Sequence, residues 1–150
     1  MSVVQTLIES LSLEPHPEGG WYNETWRGPA GPDGRAIGTA IHFLLTNQQR
    51  SHWHRIDAHE LWIWQAGDPL MLLTAAEEAT SATKLTLGRS VSQGQMMQAV
   101  VEPGYWQSAQ PVASSAGYTL VSCVVTPGFE FDKFELAPEG WHPGRTPPAW

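Results

Sequence analysis

The sequence holds one cysteine, eight lysines and arginines, and no apolar run long enough to cross a bilayer, which takes about 18 residues or more. Each shortage excludes something. A lone Cys123 forms no internal disulfide, so the chain is no disulfide-stapled scaffold; inside the apolar run Tyr118–Val125 it reads as a buried, inert thiol. The eight basic residues are scattered and outnumbered by fifteen acidic ones, giving a net charge of −7 and a pI near 5.2. A chain that binds phosphate backbones carries a basic stripe, so nucleic acid is excluded as a partner, and an anionic membrane surface on the same ground. The N-terminus has no basic segment followed by an apolar one, and the expectation is a soluble, cytoplasmic protein. No nucleophile elbow, phosphate loop or Cys-x-x-Cys motif is present. Ser51 adjoins His52, but strand neighbours face opposite ways, so the two form no catalytic dyad.

What is plentiful points to a turn-rich fold with an aromatic interior. Fourteen glycines and twelve prolines supply turns. Eight tryptophans, at 21, 26, 53, 62, 64, 106, 141 and 150, suit pocket walls and interfaces. At 150 residues with 41% hydrophobic content, one domain buries roughly 68–70% of its unfolded surface. Helical spacing appears only at Val3, Val4, Leu7, Ile8 and Leu11, where Ser2 and Gln5 suggest a capping box. Strand-like runs follow at Trp21–Arg27, Thr39–Thr46, Ser51–His54, Glu60–Gln65, Leu70–Ala75, Lys84–Leu87, Met96–Glu102 and Tyr118–Val125, broken by Gly-Pro, Asp-Gly and Pro-Gly turns. We read one domain over 1–150: a helical lead-in (1–14), an all-β sandwich or barrel (about 18–136) and an irregular proline-rich tail (137–150).

The chemistry concentrates in Ser51–Gly67. His52 and His54 stand two apart, which on a regular strand turns both to one face. Glu60, Trp62 and Trp64 share a face of the next strand. Two imidazoles and a carboxylate at one cavity suit a divalent ion with open positions. An unpaired Glu60 among aromatics is costly, so it must bind metal, pair with a cation such as Arg27, or hold its proton up to a pH that suits acid–base work. Glu24 and Arg27, three apart on a strand, point to opposite faces unless the strand is bulged. Arg27 is a candidate anchor for an anionic substrate group. His42 is a candidate pocket residue, and Trp62, Trp64 and Trp106 are candidate wall.

His52-x-His54, then Glu60 with Gly67 after it, resemble the first motif of the cupin superfamily, and Pro103–Gly104–Tyr105–Trp106–Gln107 stands in the place of the second. The pieces Pro15–His16–Pro17–Glu18–Gly19–Gly20, Glu24–Thr25-x-Arg27, Thr39-x-Ile41-x-Phe43–Leu44–Leu45, His54–Arg55, Glu60-x-Trp62 and Thr126 through Phe131 are similar, in order, to the cupin family DUF985 (cupin 5). The resemblance implies a double-stranded β-helix, a jelly-roll-like barrel, paired as a homodimer. It places Gln107 where many cupins have their last metal-binding histidine. The expected site is therefore His54 and Glu60 as acid–base pair or metal ligands, with His52 and Gln107 completing a site for iron, manganese, nickel or zinc. Glu24, Arg27, His42, Gln107 and the tryptophans would contact a small polar metabolite, such as a sugar derivative or organic acid. The reactions to expect are isomerisation, epimerisation or metal-assisted oxidation or hydrolysis; the alternative is a ligand-binding module without turnover. Phe129–Glu130–Phe131 is expected to fold over a barrel opening or a dimer contact.

Overall fold

The computed structural model describes residues 1–150. Helix α1 (Val3–Ser10) starts at Ser2, whose Oγ accepts the Gln5 N–H at 3.1 Å. Gln5 does not complete the expected capping box: its side chain donates forward to Glu9 at 2.9 Å. The apolar stripe Val4, Leu7, Ile8 and Leu11 packs on Leu13, Leu44 and Leu120. That contact, not propensity, is what makes so short a helix persist.

Eleven strands follow: β1 (Glu14–Pro15), β2 (Trp21–Arg27), β3 (Thr39–Thr46), β4 (Ser51–Arg55), β5 (His59–Gly67), β6 (Leu70–Ala75), β7 (Thr83–Leu87), β8 (Gln98–Val101), β9 (Trp106–Pro111), β10 (Tyr118–Thr126) and β11 (Glu135–Leu136). They pair antiparallel in a six-stranded sheet ordered β1-β2-β3-β10-β5-β8 and a five-stranded sheet ordered β11-β4-β9-β6-β7. The inner faces meet in one apolar cluster around Phe43, Leu45, Trp62, Leu72, Leu87 and Val121. The expected all-β barrel with a short N-terminal helix is what the chain forms, and all eight expected strands are there.

One central strand was not expected. Residues 106–111, WQSAQP, carry little hydrophobic pattern, yet β9 lies between β4 and β6, with Gln107 and Ser108 buried. Polar side chains are tolerated there because each is bonded: Ser108 Oγ donates to the Ser51 carbonyl at 2.7 Å, and Gln107 uses both ends of its amide. The tail has no strand from 137 onward, yet it forms a further layer. Its Trp141 and Trp150 cover Trp53, Leu73, Ala75 and Trp106 on the outer face of the smaller sheet.

Candidate active site

Between the sheets lies a cavity of about 130 Å³ where His16, Glu18, His54, Glu60 and Cys123 converge. Glu18 arrives from the loop before β2. Gly19 and Gly20 adopt φ of +107° and +77°, and a side chain at Gly19 would strike the Arg50 carbonyl. The turn this permits, closed by the His16 N–H donating to Gly20 O at 2.9 Å, throws Glu18 inward. Ser51 Oγ donates to Glu18 Oε1 at 2.8 Å, and Glu18 Oε2 lies 3.2 Å from His54 Nε2 and 3.8 Å from His16 Nδ1.

The hydrogen bonds set the protonation. His54 Nδ1 sits 2.7 Å from the His52 carbonyl, which only accepts, so Nδ1 carries the proton and Nε2 offers its lone pair to Glu18. Burial lowers the His54 pKa, against the opposing pull of Glu60, and keeps the ring neutral near pH 7. His16 Nδ1 accepts the Glu18 N–H at 3.1 Å, and burial, aided by His54, lowers its pKa to about 4. Burial pushes Glu18 up to about 8 against the Ser51 hydrogen bond. It pushes Glu60 up to about 7, with His54 opposing and Glu18 assisting. Glu18 therefore holds a proton at neutral pH and donates it toward His54, while Glu60 is poised between acid and base. Glu60 Oε1 accepts from Gln107 Nε2 at 2.8 Å, and Gln107 Oε1 accepts from Trp62 Nε1 at 2.8 Å. That chain fixes the amide's orientation and ties the carboxyl to the core.

The structure thus brings His54 and Glu60 to one cavity, but several expected companions lie elsewhere. His52 is exposed: β4 pairs Ser51 with Ala109 and His54 with Gln107, so it has one residue more than its partner between those points, and the bulge breaks the alternation. His42 faces away from Ile41 and Phe43, on the outer side of the larger sheet opposite Ser122 and Asn23. Trp62 is core behind the site and Trp64 donates to the Asp68 carbonyl at 3.0 Å in a separate surface cleft. Trp106 lies on the outer face beneath the tail. Gln107 positions Glu60 without lining the cavity. Glu24 and Arg27 do line it, but a bulge between Glu24 and Trp26 turns them to the same side, where Arg27 bonds Glu24 at 2.7 and 3.2 Å and the Phe129 carbonyl at 3.0 Å. Arg27 is thus held by Glu24 and by the Phe129 carbonyl through Nε and Nη2. Phe129 and Phe131 line the cavity.

The residues expected to hold a divalent ion do not fit one. His52 is outside, the Gln107 amide is spent at both ends, and no three His, Cys, Asp or Glu side chains are placed to share a metal ion. Sequence reasoning passed over His16, Glu18 and Ser51. The signal was present in the paired glycines after Glu18, which mark a turn able to aim that carboxyl.

A family model described as "Cupin superfamily (DUF985)" matches residues 5–137. A hypothetical protein from Leishmania major is 33% identical, with 90% of this chain and 86% of that one covered and a TM-score of 0.80. A Shewanella oneidensis protein is 34% identical over 91% and 85%, with a TM-score of 0.83. An oxalate decarboxylase variant from Bacillus subtilis is similar in fold at 12% identity, covering 81% of this chain and 29% of that one with a TM-score of 0.60. Among curated proteins nothing matches. No helix is long and apolar enough to cross a membrane.

Proposed function

The chain belongs to the DUF985 family of the cupin superfamily, and from that premise we propose that it is an isomerase or epimerase that moves a proton on a small polar metabolite held in the barrel cavity. The observation that carries the reading is the pair of buried carboxyls, Glu18 near pKa 8 and Glu60 near 7, facing one neutral imidazole across a single small cavity. Groups of this kind give and take protons with little driving force lost at neutral pH. Glu60, as carboxylate, removes a proton from the carbon next to a substrate carbonyl. Glu18, protonated and backed by His54, donates to the carbonyl oxygen as the enol forms. Return of the proton from Glu60 to the former carbonyl carbon, as Glu18 recovers a proton from the neighbouring hydroxyl oxygen, completes isomerisation; in epimerisation the enol turns over in the cavity before Glu60 returns the proton, and Glu18 takes back its own. A sugar derivative suits this better than an organic acid, because Arg27 is engaged by Glu24. Proton transfer is favoured over metal-assisted chemistry because His52 lies outside the barrel and both ends of the Gln107 amide are bonded.

The second reading is a binding module without turnover, favoured by the apolar side chains of Ile41, Ile56, Val125, Phe129 and Phe131 in the cavity lining. The proposal includes a homodimer in the cytoplasm; the free, buried thiol of Cys123 is in keeping with a reducing compartment. Incubation in D₂O with a panel of aldoses, ketoses and keto acids, followed by proton NMR, tests the reading. Deuterium exchange at a carbon next to the carbonyl, abolished in Glu60→Gln and reduced in Glu18→Gln, is expected. Ligand-induced thermal stabilisation with no exchange would select the binding module.

A further inference from the structure

Concave surfaces larger than the barrel cavity lie outside it. A cleft of about 590 Å³ runs between β4 and the tail, and a polar cleft of about 420 Å³ adjoins it, the two sharing Arg50 and His52. Both fall in the range of ligand sites, roughly 300–1,000 Å³. Trp150 lines the first cleft with the Arg50 guanidinium 4.3 Å from its ring centroid. The same guanidinium donates through Nε and Nη2 to Gln110 Oε1 at 3.1 and 3.0 Å, which holds the arginine in place over the indole. Arg50 has no carboxylate partner, unlike Arg27, Arg35 and Arg55.

The polar cleft is walled by side-chain amides. Asn47 Nδ2 donates to the Asp68 carboxylate at 3.2 Å, which fixes the amide and leaves Oδ1, shielded from solvent, without a donor. Gln49 Oε1 accepts the Thr46 N–H at 3.0 Å, which leaves its NH₂ to donate. The Trp150 indole, backed by Arg50, lines a groove of planar donors and acceptors whose charged lining is one arginine and one carboxylate, Glu139, which matches a molecule with an apolar ring face and a rim of hydroxyls. We propose that this joined groove is a second binding site, independent of the barrel, for an uncharged oligosaccharide of two or three units.

The test is titration of the intact protein with a neutral glycan array, followed by tryptophan fluorescence with the best neutral oligosaccharide. The expected result is saturable binding, weakened at least tenfold in Trp150→Ala, largely kept in Trp150→Phe, and weakened severalfold in Gln49→Ala, with thermal melting confirming that each variant folds. Glu60→Gln should bind as the parent does. No neutral glycan bound, binding confined to acidic glycans and lost in salt, or loss of binding in Glu60→Gln with Trp150→Ala unaffected would each overturn the proposal. The last result would place the sugar in the barrel instead.

Discussion

His54 and His52 sit two residues apart on β4 and live in different chemistry. The first is buried between two carboxyls, its Nδ1 proton pinned by a carbonyl, its charge suppressed. The second is exposed in a groove of amides and indoles. One extra residue in the strand makes the difference. The lesson is that spacing proposes a shared face and the ladder decides it: a bulge reassigns every side chain beyond it.

The contrast predicts its own tests. The largest effect is catalytic: His54→Ala should lower exchange activity a hundredfold or more, on the scale of a lost acid–base partner, while His52→Ala stays within about twofold. Comparable losses in both variants would place His52 in the site after all. Next is the buried amide. Gln107→Leu strands the Trp62 N–H and a Glu60 oxygen, and urea unfolding should show a loss of roughly 2–3 kcal/mol. A change under about 0.5 kcal/mol would mean that the Glu60–Gln107–Trp62 chain does not hold the site.

The pH dependence comes third. Glu18 and Glu60 bind protons more tightly folded than unfolded, so their contribution is complete below their unfolded pKa of about 4.5 and fades as pH rises through 7 and 8. His16 and His54 run the other way: their contribution is present above 6.5 and is lost as pH falls below it, for His16 toward 4. The two trends oppose each other between 4.5 and 6.5, so stability should peak in slightly acid solution and fall by on the order of 2 kcal/mol between pH 6.5 and 8. Melting scans of Glu18→Gln should show that alkaline slope flattened; an unchanged slope would mean Glu18 is not the group responsible. The smallest effect belongs to the exposed histidine, where His52→Ala should alter stability by less than about 0.5 kcal/mol. A larger loss would show that its ring supports the tail.

The barrel was legible because its signals are local: turn residues between short apolar strands, one amphipathic stretch at the start, and motif pieces in a familiar order. His54 and Glu60 could be placed together for the same reason. What escaped depended on distant partners. The two bulges have no local signature, and they expelled His52 and joined Glu24 to Arg27. Strand β9 lacks a hydrophobic pattern because its polar groups are satisfied by β4 and β5 rather than by water. Glu18 enters the cavity only because a glycine turn after it is pressed against the Arg50 carbonyl, a contact made across more than thirty residues of chain.

That glycine turn has a consequence for anyone engineering the molecule. Glu18 projects to one side of it and Gly19 borders the polar cleft on the other, while the Glu18 carbonyl accepts the His52 N–H at 2.8 Å. The partition between interior and exterior is here a single thickness of main chain, with no side chain to cushion it. Libraries aimed at either surface should leave residues 18–20 alone, because a displaced backbone there would be felt in both compartments at once.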